Sequence, residues 1–310
     1  MYFPYLRGRQ NELIAIRELV GKSLLGDNIV PIIEPVKLSP TLISTINSFA
    51  IVKKNLALIR NPKVGSLFTD AKKDKSNTKM NALNKSDSDS YIIKALIVDS
   101  GSKEIIDKWV KEGFKSDEVM ALCLKSDSIL YYENAFSAGS AYNVIPYELA
   151  FRRIRGNRVL IADKFTKQER NTDYANEDDE FFSNDHLYCY EEGYKGFSDY
   201  SIVGDEYNES GFAPYAVAIH IVYFAVDNSL RIKHFVSDTN DDISDPANKF
   251  YEAVSKLVDW NKNMHLNTLG VKTFEEMHAS GAYPGLGVVK KLSIMHHLEL
   301  MGRYLDGIRK

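Results

Sequence analysis

The stretch "NIVPIIEPVK" at residues 28–37 decides how the fold of this chain is predicted. The run from Val30 to Ile33 has the short, apolar, β-branched character of a strand that is buried on both faces. Pro35 has no backbone N–H and disfavours further sheet pairing, so we predict that the strand ends at Glu34. An ionisable side chain is therefore expected at the carboxyl end of a buried strand.

Seven further segments fit a strand pattern, and helical patterns lie between most of the eight. The predicted strands are residues 2–6, 29–34, 55–60, 91–100, 118–124, 158–163, 198–205 and 216–224. Parallel strands need crossover connections, and eight right-handed crossovers close most naturally into a barrel. We therefore predict an α/β fold of the (β/α)8 TIM-barrel type, with an open doubly wound parallel sheet as the alternative.

Capping residues and turn residues divide the rest of the chain. Ser39 and Asp245 each precede a proline and are predicted to cap helices over residues 39–49 and 245–263. A hairpin turn is expected at Asp227–Asn228. Two connections interrupt the alternation of strand and helix. They are the polar segment 63–90, where the third helix is expected to be weak or partly a mobile loop, and the segment 206–214, which is too short for a helix.

The domain organisation that follows is one barrel with a helical addition. We assign residues 1–240 to the barrel and residues 241–310 to carboxyl-terminal helices that pack on it. No stretch rich in Pro, Gly or Ser is long enough to act as a linker between independent domains.

Composition places the chain among ordinary globular proteins. Of its 310 residues 44% are hydrophobic and 26% are charged, and the formal net charge is −3, so no global basic field attracts nucleic acid. Cys123 and Cys189 are isolated and are expected to be buried, reduced thiols. No apolar run is long enough to span a membrane, and the amino terminus does not resemble a signal peptide. We predict a cytoplasmic protein with no membrane partner.

Charged residues follow six of the eight predicted strands. These residues are Arg7, Glu34, Arg60, Asp99, Asp163 and Asp205, and Lys164 lies next to Asp163. In barrels and open α/β sheets, ligands bind outside the carboxyl ends of the strands. Charges gathered there are costly to bury unless they pair with each other, a metal or a ligand. Polar residues at strand ends also form structural ion pairs across a barrel rim, and this interpretation stays open.

The mixture of charges favours a phosphorylated ligand, either a nucleotide or nucleic acid. Arginine binds phosphate oxygens with two parallel hydrogen bonds, which makes Arg7 and Arg60 the candidate phosphate ligands. Asp99 and Asp199 complete the predicted ligand-binding set. Carboxylate oxygens are the ligands that Mg²⁺ prefers, so a magnesium ion or another divalent cation is predicted at the mouth. Its predicted protein ligands are Glu34, Asp163 and Asp205.

Five residues are the candidates for acid–base or nucleophilic roles. They are Glu34, Asp163, Lys164, Asp205 and His220. A lysine or a histidine near a phosphorylated ligand can give or accept a proton. His220 lies inside the apolar stretch "AVAIHIVYF" (216–224), where a histidine is more often a satisfied core residue than a catalyst. Whether the chain is an enzyme therefore stays open.

The segment 177–215 combines many aromatic side chains with acidic ones, as in "NEDDEFF" and "YEEGYKGFSDY". Aromatic residues beside basic ones would indicate stacking on nucleic acid, whereas this acidic composition does not. The segment is predicted to bind a protein partner or to form a lid over the barrel mouth.

The amino-terminal motifs carry a resemblance to a known family. The stretches "YFPYLRGRQNELIAIREL", "IVPIIEPVK" and "LALIRNPKVGS" resemble the beta-protein family of phage satellites, prophages and bacterial mobile elements. The likeness extends more loosely through "LIADKF", "GFSDYSIVGDEY" and "AIHIVYF". It implies a component of an anti-phage defence system, with a partner nuclease or another defence protein, and it assigns no catalytic role. Two hypotheses result, an enzyme such as a metal-dependent phosphodiesterase or nuclease, and a non-catalytic sensor or scaffold that binds a phage product or a partner nuclease.

Overall fold

A computed structural model describes residues 1–208 and 215–307 of the chain. Eight parallel strands form one sheet in the order β1-β2-β3-β4-β5-β6-β7-β9. They are β1 (Tyr5–Leu6), β2 (Ile32–Ile33), β3 (Leu56–Ile59), β4 (Ile92–Ile97), β5 (Met120–Leu122), β6 (Tyr142–Ile145), β7 (Arg158–Ile161) and β9 (Gly196–Ser198). The backbone N–H of Tyr5 donates to the carbonyl of Asp199 at 2.8 Å, and Tyr2 bridges Phe197, so the last strand meets the first. The predicted (β/α)8 TIM-barrel-like fold is confirmed.

Two packed layers of apolar side chains hold the barrel together. Because side chains alternate along a strand, every second residue points into the barrel and the others face the helices. The buried residues of the interior are Phe3, Tyr5, Val30, Ile32, Ala57, Ile59, Ala95, Met120, Leu122, Val144, Val159 and Ile161. The outer layer is larger and packs against the helices and the second sheet.

The helices occupy the crossovers and the carboxyl-terminal part of the chain. They are α1 (Gln10–Gly21), α2 (Pro40–Val52), α3 (Leu67–Lys73), α4 (Thr78–Lys85), α5 (Ser102–Lys111), α6 (Ile129–Ala135), α7 (Asp185–Tyr188), α8 (Pro246–Met264), α9 (Leu269–Ser280) and α10 (Leu286–Leu305). Ser39 and Asp245 accept hydrogen bonds from the third residues of α2 and α8, which confirms both predicted caps. The segment 63–90 holds two short helices, α3 and α4, rather than one weak helix.

Two strand assignments differ from the prediction. One barrel strand was missed and one strand of another sheet was assigned to the barrel, so the predicted number of eight barrel strands is still correct. Residues Tyr142–Ile145 form β6, which was missed because the strand is four residues long and includes a buried Asn143. The amide of Asn143 donates to the carbonyl of Gly156 at 2.6 Å, so burial leaves it satisfied. The predicted strand 216–224 exists as β10 (Ala218–Phe224), but its assignment to the barrel is wrong.

A separate antiparallel sheet contains β10, β11 (Leu230–Val236) and β8 (Asp179–Ser183), in the order β10-β11-β8. The predicted hairpin turn is confirmed, since Asn228 adopts a left-handed φ of 62° and β10 pairs with β11. The predicted seventh strand, 198–205, is misplaced, because the observed strand β9 spans Gly196–Ser198 and shares only Ser198 with it. Of the predicted connection 206–214, residues 209–214 lie outside the described residues.

The carboxyl-terminal helices pack on both the barrel and the second sheet. Lys291 of α10 forms an ion pair with Glu18 of α1 at 2.9 Å, and His296 of α10 hydrogen-bonds the carbonyl of Val222 in β10.

The domain boundary near residue 240 stays a prediction. Within the described residues, no helix is both long enough and apolar enough to cross a membrane. Both cysteines are free and buried, as predicted.

Candidate functional site

The carboxyl ends of the barrel strands gather five of the predicted charged residues at one mouth. Arg7, Glu34, Asp99 and Asp163 each lie two residues beyond an inward-facing barrel residue, and alternation therefore aims them at the mouth. Asp205, in the loop after β9, joins them through a hydrogen bond from its backbone N–H to Asp163 at 2.8 Å. This convergence was the central expectation from the sequence.

Glu34 is the buried centre of the mouth, with no exposed surface. Its carboxylate accepts hydrogen bonds from the Tyr5 hydroxyl at 2.7 Å and from the backbone N–H of Lys63 at 2.7 Å. It also forms an ion pair with the Arg7 guanidinium. The proline that follows Glu34 ends the strand, as predicted, and the three donors supply the compensation that a buried carboxylate needs.

Arg7 is fixed by aromatic walls as well as by charge. Its guanidinium lies 5.0 Å from the ring of Tyr5 and 5.5 Å from the ring of Tyr200, and it donates to the carbonyl of Asp205. Its Nε is buried without a hydrogen-bond partner among the described residues. Neither tyrosine was predicted as a site residue. Tyr5 lies two residues beyond Phe3, so once Phe3 is known to face the barrel interior, the alternation of side chains along a strand identifies Tyr5 as inward-facing too.

Asp163 and Asp205 form a carboxyl pair at the rim. The side chain of Asp163 accepts hydrogen bonds from the backbone N–H groups of Phe165 at 3.1 Å and of Asp205. Loss of solvation raises the pKa of the Asp163 carboxyl, and the neighbouring Asp205 carboxyl raises it further. The pair can therefore hold a proton more readily than an isolated aspartate can.

Asp99 lies at the opposite part of the rim. It forms an ion pair with Lys63 and accepts a hydrogen bond from the backbone N–H of Gly101 at 2.9 Å, next to the start of α5. Lys63 thus links Asp99 to Glu34, since its side chain contacts Asp99 and its backbone N–H donates to Glu34. Lys63 was not predicted, because it follows a strand end by several residues.

Arg60 does not reach the mouth. Since it follows the inward-facing Ile59 by one residue, it points to the outer layer. There its guanidinium lies 3.3 Å from the carboxylate of Asp87, which Lys94 approaches to 3.7 Å. Arg60 is therefore not at the mouth, where it was predicted as a phosphate ligand, and the charged partner of Glu34 is Arg7.

Asp199 and Lys164 also lie outside the mouth. Asp199 is buried beneath α10, where it accepts hydrogen bonds from the Tyr2 hydroxyl at 2.6 Å and from the backbone N–H of Ser201 at 2.7 Å. Burial raises the pKa of Asp199 to about 6. Lys164 forms an ion pair with Asp185 at 2.8 Å, at the start of α7.

His220 lies on the second sheet, and not on a barrel strand. Its ring packs against Phe165, which follows β7 at the rim, with ring centres 5.1 Å apart. Its Nδ1 lies 2.8 Å from the Nδ1 of His234 on the paired strand. His220 is therefore a neighbour of the mouth rather than part of it.

A cluster of cations borders the mouth on the side of His220. This cationic rim consists of Arg9, Lys167 and Lys290. Loss of solvation lowers the pKa of Lys290, and the charges of Arg9 and Lys167 lower it further, while the carboxylate of Glu12 opposes this shift; the four groups therefore lie close together. Arg9 donates to the carbonyl of Asn208 at 2.7 Å. The starts of α1 and α10 meet here, since Gly287 packs so closely on the Asn11 side-chain amide that a Cβ would clash with it.

The residues of the mouth do not fit the predicted magnesium site. Both oxygens of Glu34 are occupied by the Arg7, Tyr5 and Lys63 donors, which leaves two of the three expected ligands. Across residues 1–208 and 215–307, no group of three His, Cys, Asp or Glu side chains could hold a metal ion. The divalent cation stays a prediction, and no step below depends on it.

A cavity of about 610 Å³ lies at the other end of the barrel. Its lining includes the cations Lys54, Lys272 and Arg303 and the acids Asp27 and Asp306. Lys54 and Arg303 are already paired, with Asp27 and Glu299 respectively. The cavity therefore offers little free charge to a ligand.

Fold and site together define a (β/α)8-barrel protein with a charged mouth and a cationic rim. A scan of protein-family models and searches of curated proteins and of solved structures returned no match to this chain.

Proposed function

We propose that the rim of the barrel mouth binds a phosphorylated ligand, with Arg9 and Lys290 as the groups that hold the phosphate. The observation that carries this proposal is the cationic rim itself. Among the described residues, neither Arg9 nor Lys290 has a carboxylate within ion-pair distance, whereas Lys167 forms an ion pair with Glu206. The charges of Arg9 and Lys167 both act on Lys290. The Glu12 carboxylate, at the start of α1, lies near both cations and partly offsets their charge, but two cations against one carboxylate leave a net positive charge, which favours an anionic ligand.

The surrounding geometry supports the same class of ligand. Arg9 is the N-cap residue of α1, and Lys290 lies in the first turns of α10, so both cations stand at helix ends that carry partial positive charge. Arg9 is also positioned by Tyr207, whose ring lies 5.0 Å away. By contrast, Arg60 is engaged in the outer layer and Arg7 is engaged by Glu34. The phosphate site proposed here therefore differs from the one predicted from strand ends alone.

The test is calorimetric binding of inorganic pyrophosphate, ADP and a short single-stranded oligonucleotide to the full chain. We expect at least one probe to bind, and the double variant R9M/K290M to weaken it about 100-fold, roughly tenfold for each lost charge contact. The control K103M/K108M removes two exposed cations from α5 and should leave binding unchanged. If no probe binds, or if both double variants weaken binding equally, the proposal fails.

Phosphodiester hydrolysis at this rim, as either a phosphodiesterase or a nuclease, would also need a proton acceptor. His220 is the candidate, because Lys290 lies close enough to contribute to the low pKa of His220. A role in anti-phage defence is proposed on the resemblance of the motifs alone. Its test is the efficiency of plaque formation on bacteria that express the chain with its genomic neighbours, compared with R9M/K290M.

The alternative, a non-catalytic sensor or scaffold, is supported by exposed aromatic residues. Within the acidic segment 177–215, Phe181, Tyr188, Tyr190 and Tyr215 are each at least half exposed. Exposed aromatic side chains are typical anchors of protein interfaces. This alternative predicts that a partner protein co-purifies with the chain and is lost when these four residues are replaced by serine.

A further inference from the structure

Two histidines and a carboxylate form a linear chain of contacts beside the cationic rim. His220 of β10 and His234 of β11 are directly paired across the antiparallel sheet, with their Nδ1 atoms 2.8 Å apart. The Nε2 of His234 lies 3.1 Å from a carboxylate oxygen of Glu180 on β8. The three strands of the second sheet therefore each contribute one member of the chain.

The carboxylate determines which nitrogen carries each proton. An ionised carboxylate only accepts hydrogen bonds, so the Nε2 of His234 must carry a proton. In a neutral ring the Nδ1 of His234 is then bare and accepts a hydrogen bond from the Nδ1–H of His220. It follows that the Nε2 of His220 is unprotonated and carries a free lone pair.

The surroundings keep both rings neutral. Burial lowers the pKa of His234, and burial lowers the pKa of His220, as do the repulsion that a second imidazolium at His234 would cause and the charge of Lys290. Tyr174 packs on both rings, with centres 4.6 and 4.8 Å away. The side chain of His234 is fully buried, whereas His220 keeps part of its surface exposed, next to Phe165 at the rim.

We propose that Glu180 and His234 act as positioning residues that hold His220 ready to accept a proton, at its Nε2, from a hydroxyl of a phosphorylated ligand or its attacking water. The ligand class rests on the function proposed above. In this step an O–H bond breaks and an Nε2–H bond forms on His220, which becomes an imidazolium, while the electron pair stays on the oxygen, which bonds to phosphorus as the bond from phosphorus to the leaving oxygen breaks. Its Nδ1–H remains donated to His234, and the Glu180 carboxylate stabilises the new charge through that ring.

The first test needs no ligand. Long-range ¹⁵N–¹H spectra of the full chain with labelled histidine report the tautomer of each ring at pH 7.5. We expect His220 to be protonated at Nδ1 and bare at Nε2, and diethyl pyrocarbonate to modify its Nε2. In Glu180→Gln the tautomer is no longer imposed, and we expect modification of His220 to slow by about fivefold. The matched control Glu177→Gln, an exposed acid on the same segment, should leave the rate unchanged. If His220 is protonated at Nε2 in the native chain, the proposed positioning of His220 by His234 and Glu180 is refuted.

The second test distinguishes the proposed role of His220 from the proposed phosphate site. Saturating inorganic pyrophosphate should protect His220 from diethyl pyrocarbonate at least fivefold in the native chain and not in R9M/K290M. If calorimetry shows pyrophosphate binding but His220 reacts at the same rate, the proposed role of His220 is refuted while the phosphate site stands. If none of pyrophosphate, ADP and the oligonucleotide binds although His220 has the expected tautomer, the phosphate site fails and the positioning of His220 by His234 and Glu180 is supported.

Discussion

We expect Arg7→Met to lower the free energy of unfolding by about 3–5 kcal/mol, the usual cost of removing one member of a buried ion pair. The cost arises at Glu34, whose carboxylate has no exposed surface and would lose its only positively charged partner among the described residues. The remaining donors, Tyr5 and the backbone of Lys63, carry no charge of their own in these contacts. Urea unfolding at pH 7, followed by circular dichroism, measures the change.

A double variant separates the ion pair from simple loss of packing. Arg7→Met with Glu34→Gln removes both charges, and the amide oxygen can still accept from the Lys63 N–H while the NH2 group donates to the Tyr5 hydroxyl. We expect the double variant to be more stable than Arg7→Met alone by about 2 kcal/mol, since no buried charge is left unpaired. Arg153→Met removes an exposed arginine that pairs with Glu133 and should change stability by less than about 0.5 kcal/mol.

The outcome decides how the mouth is interpreted. A large loss in Arg7→Met that the double variant partly restores means that Arg7 and Glu34 build the mouth, and that ligand contacts lie with the more exposed residues around it. An Arg7→Met variant as stable as the native chain would mean that Glu34 is not held by Arg7. Its carboxylate would then be free for the catalytic or metal-binding role that the sequence suggested.

Alternation along the strands explains which site residues could be predicted. Arg7 follows the inward-facing Tyr5 by two residues, and Glu34 follows Ile32 by two, so both reach the mouth. Arg60 follows Ile59 by one residue and points outward. The prediction treated every charge near a strand end alike. Counting by twos excludes Arg60 from the mouth only once the structure shows that Ile59, and not Leu58, faces the barrel interior, because the apolar run 56–59 does not reveal this.

Other features depend on tertiary contacts that the sequence does not announce. Strand β6 has a buried Asn143, and only its contacts with Gly156 and Ser140 make that burial acceptable. The run 218–224 has the composition of a barrel strand, but a hairpin joins it to β11, and the two strands pair in antiparallel fashion. A closed parallel barrel cannot contain such a pair. The cationic rim joins residues 9, 167 and 290, which nothing in their local sequence connects.

We expect Asp199→Asn to be more stable than the native chain at pH 7.5, by up to about 3 kcal/mol. Burial raises the pKa of Asp199 to about 6, roughly two units above that of an exposed aspartate, and each unit corresponds to about 1.4 kcal/mol. Because the folded state binds this proton more tightly than the unfolded state does, native stability falls as the pH rises from about 4 to about 6. Above that range the folded chain bears the full cost of a buried charge.

Asparagine keeps the contacts while it removes the charge. Tyr2 and Ser201 both donate to the same oxygen of Asp199, and an amide oxygen can accept both hydrogen bonds. Urea unfolding at pH 4.5 and pH 7.5 should therefore show a difference between variant and native chain that grows with pH, while the exposed control Asp117→Asn shows none. A variant that is less stable than the native chain by the same amount at both pH values would mean that the Asp199 charge is compensated in the folded state. In that case its predicted part in ligand binding would regain support, since a buried carboxylate that stays ionised needs a cationic partner.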